Sequence, residues 1–147
     1  MMFVTISKKK HRLGLVKEFW ENLEVGRSSF RYFSTRPINI VINHLFCTCL
    51  LVDDEVVGYG HLDHEADRIW LGIAVADNKL GNGLGKRIIG ELINQAREEG
   101  IGCLHLTVDV TNLSAIGLYE RVGFCKTSTQ SSDVSCLMVL DLSKNNL

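Results

Sequence analysis

Gly81, Gly83 and Gly85 stand at alternate positions directly ahead of Lys86 and Arg87, and behind them Ile88, Ile89, Leu92, Ile93 and Ala96 recur at helical spacing. Glycine lacks a Cβ, so such a loop can take positive φ and bring its backbone close to a ligand. The apolar spacing predicts a helix whose first-turn N–H groups have no intrahelical partner and carry the partial positive charge of a helix start. Those groups suit a diphosphate. Two cations in a first turn are unfavourable for the helix itself, and an arriving anion would relieve that conflict. A plain turn between strand and helix is the alternative. Other phosphate loops do not fit. The pattern G-x-x-x-x-G-K-[ST] has Leu80 at its first glycine and Arg87 after Gly85-Lys86, and G-x-G-x-x-G meets Lys86 or Ile88 at its third glycine.

The elements that must position this loop fit one domain, residues 1–147. Hydrophobic residues make up 46% and charged residues 22%, and a single proline argues against disordered linkers. A net charge of −1 gives no general attraction to nucleic acid or anionic membrane. The basic run Lys8, Lys9, Lys10, His11 and Arg12 reads as a solvated helix start. No apolar run reaches membrane-spanning length and no secretory signal is legible, so a cytoplasmic protein is expected. Five cysteines in apolar stretches, Cys47, Cys49, Cys103, Cys125 and Cys136, fit reduced thiols; no zinc spacing occurs, and no metal is expected.

In chain order, Phe3 to Ile6 reads as a strand and Lys9 to Leu23 as an amphipathic helix. Ser28 to Arg36 is a polar-aromatic connection. Pro37 opens a second helix with Ile38, Val41, Ile42 and Leu45 facing inward. Phe46 to Val52, Val56 to Leu62 and Ile69 to Ala76 form a three-strand meander, with a hairpin at Asp53-Asp54-Glu55. The glycine loop and its helix end at Gly100. Ile101 to Val110 follows through a helical crossover and is therefore expected parallel to Ile69 to Ala76. Asn112 to Val122 is a short helix, and Phe124 to Thr129 with Val134 to Leu142 a terminal antiparallel pair; the tail after Asp141 reads as frayed. The order β-α-α-β-β-β-α-β-α-β-β gives an α/β (α+β) mixed sheet. The cleft at the C-terminal ends of its two parallel strands is the expected ligand site.

Two blocks of the chain resemble the GNAT superfamily of acyl-CoA-dependent N-acyltransferases. LGIAVADNKLGNGLGKRII, Leu71 to Ile89, is similar to that family's strand, pyrophosphate loop and helix with the pattern Q/R-x-x-G-x-G/A, here Leu80, Gly81, Asn82, Gly83, Leu84 and Gly85, with Leu80 in place of Gln or Arg. NLSAIGLYERVGF, Asn112 to Phe124, matches N-x-x-A-x-x-L-Y-x-x-x-G-F without a break. The resemblance covers nearly the whole chain and implies acetyl-CoA or a close acyl-CoA as co-substrate. It places the pyrophosphate on the amides of Gly81 to Lys86 and the pantetheine arm beside Ile73, Ala74 and Val75. Asn112 matches a position that contacts the pantetheine, and Tyr119 a position near the thioester sulfur. A phenol of ordinary pKa about 10 is protonated at neutral pH and can serve a departing thiolate. It could equally be an aromatic anchor against Phe124.

Acyl transfer to an amine needs an uncharged nucleophile. An alkylamine of pKa about 10.4 is some three units from that state at neutral pH, about 4 kcal/mol, so a base is worth having. Strand alternation sets Tyr59, His61 and Asp63 on one face, and His61 is the leading candidate base; Asp109, on a similar face with His105 and Thr107, is the second. A purely structural histidine is the competing reading. By the same resemblance the acceptor pocket falls on Arg27 to Arg36, where Arg31, Tyr32 and Phe33 could hold a polar, anionic or sugar-like group. The reading is an N-acetyltransferase acting on the primary amine of a small molecule. A protein N-terminal or lysine acetyltransferase and a non-catalytic acyl-CoA-binding module are the alternatives. No nucleic-acid or membrane partner is expected, and a homodimer fits the exposed strand edges.

Overall fold

The computed structural model describes residues 1–127 and 132–144. Among them, strands β1 (Met2–Thr5), β2 (Phe46–Val52), β3 (Glu55–Glu65), β4 (Arg68–Val75), β5 (Cys103–Asp109), β6 (Cys125–Lys126) and β7 (Ser135–Asp141) build one sheet in the order β1-β2-β3-β4-β5-β7-β6. The α-helices are α1 (Leu13–Asn22), α2 (Leu84–Glu98) and α3 (Leu113–Val122). The meander from β2 to β4 turns on two tight hairpins whose central residues, Asp53-Asp54 and Ala66-Asp67, all have positive φ, the twist that two-residue hairpin turns require. β5 pairs with β4 in parallel and with β7 in antiparallel register.

Each face of the sheet is covered by its own core. Ile88, Ile89, Leu92 and Ala96 of α2 and Ile116 of α3 pack with Leu104, Leu106 and Met138 on one face. Gly58 and Gly60 of β3 admit α2, since a Cβ at these positions would stand 2.6 and 2.7 Å from Ile88. On the other face Val16 and Phe19 of α1 pack with Phe33, Val41, Cys47, Cys49 and Tyr59. Two stacked layers around a sheet hold it rigid enough to carry a site.

Three expectations are corrected. The second helix is a 3₁₀ segment, Ile38–Asn43, with Pro37 extended ahead of it at ψ 148°; Val41 alone of the expected inward set is fully buried, and Leu45 is 40% exposed. Four β-branched residues in six positions disfavour an α-helical nucleus, and so short a segment offers too few bonds to offset that. The tail is not frayed at Leu142, which is buried in a final 3₁₀ turn, its N–H 2.8 Å from the Gly102 carbonyl. The strand expected from Phe124 to Thr129 is seen as Cys125–Lys126, and Ser128 and Thr129 lie outside the described residues.

Candidate active site

β4 and β5 share a single register position, Trp70↔His105, and part beyond it. Leu71 to Val75 and Thr107 to Asp109 thus become the two walls of a cavity of about 1140 Å³. Past Trp70, the edge of β4 that faces β5 has no ladder partner among the described residues, so its backbone groups are open to an extended ligand.

The glycine loop closes one end of this cleft. Gly81 and Gly83 have φ of 83° and 75°, and nothing lies within 4 Å of where their Cβ atoms would be. Gly83 is the N-cap of α2 without a side-chain cap, and Arg87 N–H is the first to bond back, to the Gly83 carbonyl. The amides of Leu84, Gly85 and Lys86 are therefore the unpaired donors of the helix start. Gly85 serves otherwise: a Cβ there would meet Leu118 of α3 at 3.0 Å, so this glycine lets the two helices close on the cleft. Lys86 is exposed beside the amides, and Leu80 projects 64% exposed at the loop entrance. Asn82 holds the loop by donating from its side-chain nitrogen to the Lys79 carbonyl at 3.0 Å.

Asn112 caps α3, its Oδ1 accepting from Ala115 N–H at 3.2 Å, and it lines the cleft. Tyr119 is 8% exposed and also lines the cleft, its ring edge-on to Phe124 at 5.8 Å. Burial pushes its phenol up to about 12, so the hydroxyl keeps its proton at neutral pH. The ring contact with Phe124 is the anchor that the sequence allowed, and the hydroxyl on the same ring stays protonated.

The opposite face of the window is aromatic and histidine-rich. His61 is 3% exposed, and its imidazole lies over Gly72, where a Cβ would sit 2.5 Å from Nε2. Its Nδ1 is 2.7 Å from the Tyr59 hydroxyl, and its ring packs on those of Tyr32 and His44 at 4.4 and 4.8 Å. Burial, with His44 and Arg36 nearby, holds the imidazole well below the usual histidine range, so it is uncharged at neutral pH. Beside it Tyr32 Oη donates to Asp63 Oδ2 at 3.1 Å and is 2.8 Å from His44 Nε2, while His44 Nδ1 stands 3.5 Å from Asp63 Oδ1.

Three residues assigned from sequence lie otherwise than expected. Phe33 does not face the cleft: it is buried against Trp20, Phe30, Tyr32 and Tyr59, because an apolar ring so close to a sheet core gains most by burial, and Phe30 lines the cavity in its place. Arg31 and Asp109, read separately as substrate ligand and base, are each other's partner in a bidentate pair of 3.0 and 3.1 Å. The guanidinium holds the Asp109 carboxyl below the usual range, which weakens it as a proton acceptor. Asp77, the one carboxylate near the end of β4, accepts from the backbone N–H groups of Glu24, Val25 and Gly26 at 2.8 to 3.1 Å and ties the α1 connection over the cleft. His44, Asp63 and Asp77 were not singled out in sequence; alternation placed Asp63 on the His61 face, while His44 and Asp77 carry no periodic signal.

A sequence profile of the Acetyltransferase (GNAT) family matches residues 13–124. The chain belongs to the GNAT family of acetyltransferases. Its sequence is 36% identical over 76 residues to the [ribosomal protein bS18]-alanine N-acetyltransferase of Haemophilus influenzae, 51% of each chain. It is 35% identical over 52 residues to an L-methionine sulfoximine/L-methionine sulfone acetyltransferase of Pseudomonas aeruginosa, 35% of this chain and 30% of the other. The chain thus spans about half the length, or less, of the curated relatives it matches. In fold it is similar to the GNAT domain of S. lividans PAT, with TM-score 0.81 at 17% identity, covering 95% of this chain and 89% of that one. A Salmonella typhimurium structure with its cofactor acetyl-CoA gives TM-score 0.78 at 15% identity, covering 100% and 96%. No helix among the described residues is long and apolar enough to cross a membrane.

Proposed function

We propose that the chain is an acetyl-CoA-dependent N-acetyltransferase acting on the primary amine of a small molecule. One observation carries the reading: the window between β4 and β5 has a protonated phenol on one face and an uncharged imidazole on the other, with open helix-start amides at its end.

The residues present fit the co-substrate. The amides of Gly81 to Lys86 suit its pyrophosphate, the left-handed glycines leave the approach clear, and the unpaired edge at Ile73, Ala74 and Val75 suits an amide-bearing arm, with Asn112 across the cleft. When bound, acetyl-CoA supplies an activated acetyl group with a thiolate as leaving group. Tyr119 holds a proton at Oη for that sulfur. His61 holds a lone pair on the acceptor face, and its uncharged state keeps it ready to take a proton from the nitrogen as the amide forms.

Acceptor size is the open choice within this reading. The Pseudomonas relative is named for amino-acid analogues and the Haemophilus relative for a protein N-terminal alanine. The Asp77-held connection and the Arg31–Asp109 pair bound the acceptor side, and that supports a small molecule over an inserted chain. Titration calorimetry with acetyl-CoA, followed by thiol release over a panel of amines and of peptides with free N-termini, tests this. Acceptor-dependent release with small amines is the expected result. Release with peptides alone would transfer the reading to a protein acetyltransferase, and binding with no release from any acceptor to an acyl-CoA-binding module.

A further inference from the structure

Of the four carboxylates that line the cavity, Asp77 is held by backbone amides, Asp109 is paired with Arg31, and Glu65 is exposed to solvent. Asp63 has neither compensation. Its side chain is 19% exposed and faces the cavity, and among the described residues the one basic group within ion-pair range is His44. Burial, partly opposed by Asp63 itself and aided by Arg36, holds His44 below the usual histidine range, so it brings no positive charge at neutral pH. The Arg36 guanidinium is engaged elsewhere, stacked 4.2 Å over the Tyr32 ring.

Tyr32, His44 and Asp63 also form a closed ring of three contacts, at 2.8, 3.1 and 3.5 Å. With His44 uncharged, this ring owns two protons, the phenol O–H and one imidazole N–H. If Tyr32 donates to Asp63, His44 carries its proton either on Nε2, facing Tyr32, which leaves Nδ1 and Asp63 Oδ1 as two acceptors, or on Nδ1, facing Asp63, which leaves Nε2 and the phenol oxygen as two acceptors. If Tyr32 donates to His44 instead, its oxygen faces the carboxylate as two acceptors. Whichever holds, one contact lacks a proton. An N–H donor arriving from a cation completes the ring and pairs the carboxylate of a mostly buried site.

We infer that Asp63 is a further catalytic residue, which binds the acceptor as a primary ammonium cation and, with Tyr32 and His44 as positioning partners, takes the proton that turns it into a nucleophile. This rests on the acetyltransferase reading above and extends it to the charge state of the substrate. The proton count closes. An ammonium loses two protons on becoming an amide; the first goes to the Tyr32–His44–Asp63 ring and out to solvent, the second to His61 as the C–N bond forms. Tyr119 gives one to the sulfur as the C–S bond breaks and regains one from solvent. Asp63, His61 and Glu65 share the strand, and Asp63 lines the cavity with Tyr32 and Arg36 from the connection and His44 behind them.

The test is Asp63→Asn, which keeps an acceptor for Tyr32 and removes the charge, with His44→Gln as the second variant and thermal melting as the check on folding. Acetyl-CoA affinity should stay within about twofold, while kcat/KM for an alkylamine at neutral pH falls about a hundredfold, the range of a lost proton acceptor. That deficit should shrink as pH rises towards the amine pKa and solvent supplies the free base. With trifluoroethylamine, already uncharged at neutral pH, the variants should match the wild type; a purely structural defect would not spare it. Binding of butylammonium chloride, followed through the His44 ring resonances, gives a readout free of turnover: it should shift them in the wild type and not in Asp63→Asn. Full activity of Asp63→Asn with alkylamines overturns the inference and leaves acetyl transfer standing. Butylammonium binding at Asp63 with no turnover from any amine upholds the ammonium site and removes the acetyltransferase reading; no binding overturns the site itself.

Discussion

At the scale of single residues, the proposed function assigns one role to each face of the β4–β5 window, and one substitution on each face tests it. Tyr119→Phe removes the only hydroxyl that α3 brings to the cleft from its buried positions and keeps the ring contact with Phe124. It should lower kcat about a hundredfold or more with acetyl-CoA affinity near normal, the range of a lost general acid; unchanged turnover across the pH range would take Tyr119 out of that role. On the other face Gly72 is the residue on which His61 depends. A methyl group there would fall within 2.5 Å of Nε2 and 2.7 Å of Cε1, inside any real contact. Gly72→Ala should therefore expel the imidazole, costing about 1–3 kcal/mol as an overpacked site and lowering kcat more than Gly90→Ala, which has nothing within 4 Å of its Cβ position. The sign of the pH response follows from the same burial. A depressed imidazole stays uncharged below its ordinary value, so a reaction that uses His61 as proton acceptor keeps that group competent down past pH 6.5. An acid limb centred at or above the ordinary histidine value would assign the titration to another group.

At the scale of elements, the α1 connection is held over the cleft by one carboxylate that caps its backbone, Asp77, together with aromatic packing on Trp20 and Tyr59. Asp77 gathers three amides of the α1 connection, and these bonds hold its carboxyl below the usual range. Asp77→Ala should leave those donors unpaired, loosen residues 24–36, and raise the KM for the amine severalfold while acetyl-CoA affinity stays unchanged; limited proteolysis near Arg27 and Arg31 checks the loosening. What is written in local terms was legible: Gly81 and Gly83 for left-handed backbone, the apolar period of α2, Asn112 as a cap, and the strand alternation that set Tyr59, His61 and Asp63 on one face. What surrounds that face was not. Phe33 and Phe30 lie three residues apart in an aromatic connection, and which of them faces the cavity is decided by packing on Tyr59 and Trp20, elements distant in sequence. Arg31 and Asp109 each looked free because their partner is 78 positions away. The 3₁₀ form of Ile38–Asn43, which delivers His44 to Asp63, follows from a short span between Pro37 and β2 that periodicity alone reads as a helix.

At the scale of the whole molecule, burying uncharged histidines in both the site and the core ties stability to pH. His44 and His61 are 3% exposed, and each has its pKa lowered, chiefly by burial, from an ordinary 6.5. In the unfolded chain both take up protons near that ordinary value, while the folded chain resists until lower pH. Between the folded and unfolded values the unfolded state therefore binds more protons, so stability rises with pH through this window and falls as pH drops below about 6.5. Each unit of separation is worth about 1.4 kcal/mol per histidine. The carboxylates act in a separate window: Asp77 and Asp109 are depressed from an ordinary 3.8, so their contribution is intact near neutrality and is lost only as pH falls through their lower folded values. Melting temperature should accordingly be flat between about pH 7 and 8, below the ordinary cysteine and tyrosine values, and decline from about pH 6.5 downward, before Asp77 and Asp109 titrate. Replacing the buried imidazoles with groups that do not titrate, as in His44→Gln and His61→Gln, should flatten the decline in that interval, with the double variant flatter than either single one. An unchanged slope in the double variant would place the acid sensitivity elsewhere. The geometry gives a reason for retaining so costly an arrangement: an uncharged imidazole and an incomplete proton ring on the amine face can each accept a proton, and the same unfilled proton sites make the fold sensitive to acid.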